Sequence, residues 1–236
     1  LYNAAYVLTA DFGFKQAVAS GDNRTINSAL FNHGQRIKAD LMAIVTLDGE
    51  TVTSAPAVLK MGRSFPYPGV IGDVIKKGGY SSLMMLDGQL YQVIMLTIDA
   101  PTPIVIALIG FKLDDSVLAQ LKSITQLETT LQVFTEQSEV YKISTLPDDI
   151  TNAAFSTLNQ RPSWLSITIT KDTPYISQQF TLADNLESRT VITLSEDAQE
   201  LFSDFNSLQL GIIIAVSYTN LTLPTIFRFL VSFDSV

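Results

Sequence analysis

The residues best suited to chemistry cluster in one short segment, Arg63-Ser64-Phe65-Pro66-Tyr67-Pro68-Gly69. It joins a fixed cation, two aromatic rings and two prolines. A guanidinium can pair with a carboxylate or phosphate in fork geometry, so Arg63 is a candidate anchor for an anionic group. Phe65 and Tyr67 can wall the apolar part of a small molecule. Tyr80 and Tyr91 follow on expected neighbouring strands and can turn a hydroxyl inward. Asp99, at the end of the second of those strands, can hold an amine. Arg63, Tyr67, Tyr80, Tyr91 and Asp99 are therefore the candidate ligand-binding set. The same residues also fit a plainer arrangement, with Arg63 in solvent and the aromatics closing the edge of a core.

No other constellation supports catalysis. His33 is the one histidine, and the chain has no cysteine. Thiolate nucleophiles, disulfides and cysteine metal sites are excluded, and no metal-ligand spacing surrounds His33. There is no nucleophile elbow, phosphate loop or dinucleotide fingerprint. Asp48-Gly49 and Asp87-Gly88 are turn dipeptides. Asp114-Asp115 and Asp148-Asp149 suit helix starts, where negative charge is favoured. No cofactor and no metal are expected, and the chain is not expected to be an enzyme in its own right. The net charge of −8 argues against nucleic acid, whose phosphates need a basic surface.

The 236 residues are 47% hydrophobic and 16% charged, enough apolar material for one or two cores. Helices are expected over Ala5–Ser20 and Thr25–Ala39, separated by Gly21-Asp22. The period then changes to that of strands: Leu41–Leu47, Glu50–Ser54, Tyr80–Leu86, Gln89–Ile98 and Ile104–Leu113. A Pro/Gly-rich link, Gly62–Gly69, and a short helix, Val70–Lys77, divide the second strand from the third. A helix starting at Asp114-Asp115-Ser116 runs to about Gln126. The order then repeats. Thr130–Thr135 and Glu139–Thr145 pair, Pro147–Leu158 is helical, and Trp164–Thr170, Tyr175–Leu182 and Arg189–Leu194 are strands. Ser195-Glu196-Asp197 opens a last helix, as Asp114-Asp115-Ser116 does in the first unit.

The termini carry their own expectations. Leu1 stands inside a helical pattern with no signal peptide, so the first helix is read as truncated. Leu210–Val216 opens like a membrane span, and a span needs about 20 apolar residues. The pattern stops after Val216. Ser217–Val236 resembles translated adaptor read-through and is read as a non-native tail.

An antiparallel five-stranded sheet with a helix between its second and third strands is the PAS-like plan. Two in tandem behind a long helix resemble the double-Cache sensor family of bacterial membrane signalling proteins. Ala10-Asp11-Phe12-Gly13-Phe14-Lys15-Gln16-Ala17-Val18-Ala19-Ser20-Gly21-Asp22 is similar to the opening helix of such domains on diguanylate cyclases, phosphodiesterases and histidine kinases. Asn32-His33-Gly34-Gln35-Arg36-Ile37-Lys38-Ala39-Asp40-Leu41-Met42 is similar to the entry into their first strand. The likeness covers about residues 5–210.

The fold class implied is α+β, a long N-terminal helix plus two tandem PAS-like units. Residues 1–38 form the helical stalk and 39–115 the membrane-distal unit. Residues 116–128 form a connecting helix and 129–195 the membrane-proximal unit. Residues 196–216 form a terminal helix entering the membrane, before the tail at 217–236. The resemblance implies a periplasmic sensor held to the inner membrane by flanking transmembrane helices. It would bind a small molecule in the distal unit and signal to a cytoplasmic output domain, cyclic-di-GMP synthesis or breakdown first. A histidine kinase or chemoreceptor, or a ligand-free dimerisation module, are the alternatives. A homodimer is expected. The family's amino-acid binders carry a Tyr, Arg, Trp and Asp signature in the distal unit, whereas Trp164 here falls in the proximal one.

Overall fold

Short polar residues ahead of apolar periodic stretches start the helices. In the computed structural model, which describes residues 11–135, 138–147, 166–170, 173–184 and 188–199, Asp11 caps helix α1, Phe12–Ala19, by accepting from the Phe14 amide at 2.9 Å. Asp22 caps α2, Asn23–Ile37, by accepting from the Thr25 amide at 3.1 Å. Each cap satisfies an amide that has no partner within its helix. Between the two helices Gly21 has φ +67°, a left-handed conformation that only glycine takes freely. The described N-terminal stretch is thus two helices with a break, not one uninterrupted rod. In α2, Ile26, Leu30 and Gly34 recur every fourth position and form the buried face.

Alternating apolar residues then build the first sheet. Its strands are β1 (Leu41–Thr46), β2 (Thr51–Ala55), β3 (Gly79–Leu86), β4 (Gln89–Asp99) and β5 (Pro103–Lys112). They lie in the order β2-β1-β5-β4-β3. The β1/β2, β1/β5, β3/β4 and β4/β5 pairs are antiparallel. β5 is central, as its nearly unbroken apolar run requires: Ile106–Gly110 are buried without interruption. Asp87 and Gly88 both have positive φ, 49° and 72°, the geometry that turns β3 tightly into β4. Between β2 and β3 lie a 3-10 turn, Pro68–Val70, and helix α3, Ile71–Lys77.

Each face of this sheet has its own core. Leu41, Ala43 and Val45 of β1 point one way, with Val93 and Met95 of β4. They pack against Leu59, Phe65, Ile71 and Val74 of the β2–β3 connection. Met42 and Ile44 point the other way, with Ile94, Leu96 and Ile98. They pack against Phe14 and Val18 of α1 and Ile26 and Leu30 of α2. Strand alternation makes two opposed faces from one sequence.

Helix α4, Asp115–Thr125, follows β5. A second five-stranded sheet comprises β6 (Glu128–Phe134), β7 (Glu139–Ser144), β8 (Ser166–Thr170), β9 (Thr173–Asp184) and β10 (Arg189–Asp197). Its order, β7-β6-β10-β9-β8, repeats that of the first. The internal repetition read in the sequence is therefore present in the topology. The chain divides into two compact units, one drawn from Leu1–Thr145 and Phe180–Ile192, the other from Leu146–Gln179 and Thr193–Val236. In the first unit, Leu131 and Val133 of β6 and Ile192 of β10 pack with Leu118 of α4 and Leu90 of β4. In the second, the buried hydroxyls of Ser177 and Ser195 lie 2.8 Å apart.

One expected helix start is corrected. Ser195-Glu196-Asp197 continues β10 instead of opening a helix. The Asp197 carboxylate accepts from the Gln199 amide at 2.8 Å, a local turn bond at the end of the strand. The expected helix Pro147–Leu158, with Asp148-Asp149, lies outside the described residues. So do Trp164, the Lys171-Asp172 turn and everything from residue 200 onward. Among the described residues no helix is long and apolar enough to cross a membrane.

Candidate functional site

The segment carrying Arg63, Phe65 and Tyr67 is set in place by its backbone. The Arg63 carbonyl accepts from the Thr51 amide at 2.8 Å, and the Phe65 amide donates to the Gly49 carbonyl at 2.7 Å. The connection thereby runs along the outer edge of β2, and Glu50 bridges to Ser64. This seats Phe65 in the core and leaves the Arg63 side chain in solvent. The Phe65 and Tyr67 ring centroids are 6.0 Å apart.

Tyr67 is 9% exposed, and its hydroxyl is committed to the backbone of Met85. It donates to the Met85 carbonyl at 3.0 Å and accepts from the Met85 amide at 2.9 Å. Tyr80 is half-buried against the same apolar cluster, opposite Met95 in the β3/β4 register. Tyr91, 5% exposed, belongs to it as well. The structure therefore brings three of the five candidates, Tyr67, Tyr80 and Tyr91, to one face.

Asp99 is exposed at the far end of β4. Its distance along the strand from Tyr91 is about 26 Å at roughly 3.3 Å per residue. One small molecule cannot touch both.

Tyr91 is the most distinctive of the phenols. Its ring lies against Gly110, the β5 position whose absent side chain makes room for it. A Cβ there would stand 3.2 Å from Tyr91 Cδ1 and 3.1 Å from Leu41 Cβ. Burial pushes the Tyr91 phenol above its ordinary pKa, and the carboxylates of Asp40 and Asp87 push it further the same way. At neutral pH it is a proton donor, and its hydroxyl makes no hydrogen bond among the described residues.

Nearby, Tyr141 of β7 donates to the Leu113 carbonyl at 3.0 Å. Burial raises its pKa too, with Asp115, Asp114 and Tyr91 adding to the effect. The sequence reading gave Asp87 as a turn residue and did not single out Asp40 or Tyr141. Each comes from a different element, and no spacing along the chain links them.

His33 sits on α2 with its ring edge-on to Phe14 of α1, centroids 5.2 Å apart. Burial lowers its pKa, with Asp11 opposing and Arg36 adding to the depression. Among the described residues no group of three or more histidines and carboxylates could hold a metal ion. A groove of about 300 Å³ runs beside α2, bounded by Leu30, Phe31, Gln35, Asp40 and Pro56. It lies away from the tyrosine face, and no sequence signal marked it.

No family model matches the chain, and no curated protein matches it in sequence. Solved structures match in shape. One is the sensor domain of the V. cholerae histidine kinase DctB, with a TM-score of 0.50 at 13% identity, covering 80% of this chain and 86% of that one. Another is a domain assigned to a sensory box/GGDEF family protein from Vibrio parahaemolyticus. It has a TM-score of 0.55 at 7% identity, covering 85% of this chain and 89% of that one. With two antiparallel sheets of a single strand order in tandem, the chain has the α+β fold of these two structures.

Proposed function

We propose that this chain is the extracytoplasmic signal-sensing region of a bacterial inner-membrane protein. In this reading it binds a small ligand and passes the change to a cytoplasmic output, acting as a dimer held by flanking membrane helices. The observation that supports it is the fold: tandem sheets of one strand order, in the shape of a kinase sensor domain and a GGDEF-protein domain. The role is binding rather than catalysis.

The similarity of Ala10–Asp22 to opening helices on cyclic-di-GMP enzymes favours that output. The likeness to the DctB sensor domain favours a histidine kinase as the second reading. The membrane-distal unit is taken as 39–115 and the proximal unit as 129–195.

Within the distal unit the ligand is assigned to the tyrosine face of the first sheet. Tyr91 offers a hydroxyl with no partner among the described residues, Tyr80 and Tyr67 provide aromatic walls, and Arg63, its side chain in solvent, would have to turn toward the ligand to pair with it. Asp99 would contact only a ligand at the other end of β4. The test is a thermal-shift screen of the chain against a metabolite panel, since a ligand that binds only the folded state raises its melting temperature. Titration of Arg63→Ala and Tyr91→Phe with any hit follows. Weaker binding by both folded variants supports the site, and unchanged affinity in both removes it from the first sheet.

A further inference from the structure

We propose that the β6–β7 pair holds a second small-molecule site for a ligand bearing an N–H donor, with the Gln132 side-chain oxygen as its acceptor. The proposal goes beyond the sensing site on the first sheet and does not rest on it. It begins with one side chain. Gln132 is 1% exposed. Its Nε2 donates to Glu139 Oε2 at 2.5 Å. A carboxylate only accepts, so the amide cannot turn its oxygen toward Glu139. Gln132 Oε1 is therefore fixed in the opposite direction, buried and without a hydrogen-bond partner among the described residues. A buried acceptor left unmet is costly, and folded proteins rarely keep one.

Its surroundings on the sheet are polar too. Leu131 and Val133 face Leu118 of α4, so Thr130 and Gln132 face the other way. Thr130 is equally buried, and its Oγ1 lies 2.6 Å from Ser144 Oγ. Thr130 pairs with Ser144 and Gln132 with Lys142 across β6 and β7.

The first sheet supplies the contrast. β1 holds there the place that β6 holds in the second. On its face turned away from the preceding helices, β1 presents Leu41, Ala43 and Val45. The same strand position is thus apolar in one sheet and hydrogen-bonding in the other. Packing alone explains the first, and a polar occupant explains the second. The oriented acceptor and the two hydroxyls share this face with Lys142, half-buried opposite Gln132, and its positive charge disfavours a second cation. A neutral carboxamide N–H fits it.

The experiment titrates the full chain with acetamide, propionamide and benzamide by calorimetry, comparing wild type with Gln132→Leu. Wild type is expected to bind at least one probe, and Gln132→Leu to bind it at least about tenfold more weakly. Without probe, Gln132→Leu should melt no lower than wild type, because the unmet acceptor is gone. If leucine impairs folding, Gln132→Met, unbranched and lacking the amide, takes its place. Failure of all three probes to bind wild type, or equal affinity in the folded variant, overturns the proposal. Loss here with Arg63→Ala binding unchanged separates this site from the one on the first sheet.

Discussion

The Tyr67 hydroxyl brackets the backbone of Met85, donating to its carbonyl at 3.0 Å and accepting from its amide at 2.9 Å. β3 is an edge strand, so those backbone groups would otherwise lack a partner in the sheet. Met85 in turn packs its side chain against the cluster that includes Leu131 and Val133 of β6. One residue of β3 thus joins the β2–β3 connection to the strands that follow α4.

Replacing Tyr67 with Phe keeps the ring and removes both hydrogen bonds. The expected cost is about 1–2 kcal/mol in urea unfolding, with faster hydrogen exchange at the Met85 amide. Unchanged exchange there would show that the hydroxyl does not hold the edge.

Gly110 is a contact glycine, not a conformational one. A Cβ would stand 3.1 Å from Leu41 Cβ, which is anchored to the backbone of the neighbouring strand and cannot swing aside. Gly110→Ala should cost roughly 1–3 kcal/mol through overpacking. It should also shift the aromatic resonances of Tyr91, the other atom in the way. A wild-type melting curve would count against this packing.

Asp114 caps α4, accepting from the Ser116 amide at 3.0 Å and the Ser116 hydroxyl at 2.6 Å. Asp114→Ala should cost about 1 kcal/mol. The hydroxyl bond is the main reason its pKa lies below the usual value of 3.8. A carboxylate with a lowered folded pKa contributes stability above the unfolded value, and that contribution disappears as pH falls through the folded one. Asp114→Asn should therefore keep most of the cap while flattening the pH dependence of stability below about pH 4, measured by urea midpoints.

His33 behaves in the opposite chemical sense. Burial lowers its pKa from 6.5, so the unfolded chain takes up the proton first. Its neutral form favours the fold fully above that value. The advantage declines as pH falls below 6.5 and is spent once the folded imidazole protonates as well. His33→Gln should remove the corresponding slope between pH 7 and pH 5 in melting temperature. A slope identical to wild type would assign it to other groups.

Much of the architecture was legible along the chain. Asp87-Gly88 and Gly21-Asp22 act locally, through backbone conformations that few residues tolerate, so the turns and helix breaks they imply are present. The unbroken apolar run of β5 could only be a central strand, and it is. The repeated order of strands foretold a repeated topology. The last expected helix start was harder. Ser195-Glu196-Asp197 carries capping residue types, yet only pairing within the sheet sets how far β10 runs, and it runs through all three.

The candidate site divides along the same line. Residue type and alternation identified Tyr67, Tyr80 and Tyr91 as aromatic and showed that Tyr91 and Gln92 must face opposite ways. They did not say which of the two meets the β2–β3 connection. Packing chose Tyr91, with Val93 and Met95, because Gly110 leaves room for its ring and Phe65 and Val74 close over that side. The exposure of Arg63, the Tyr67–Met85 bracket and the unmet oxygen of Gln132 were likewise decided in three dimensions. Each depends on partners from another strand or on the path of the backbone, which local sequence does not specify.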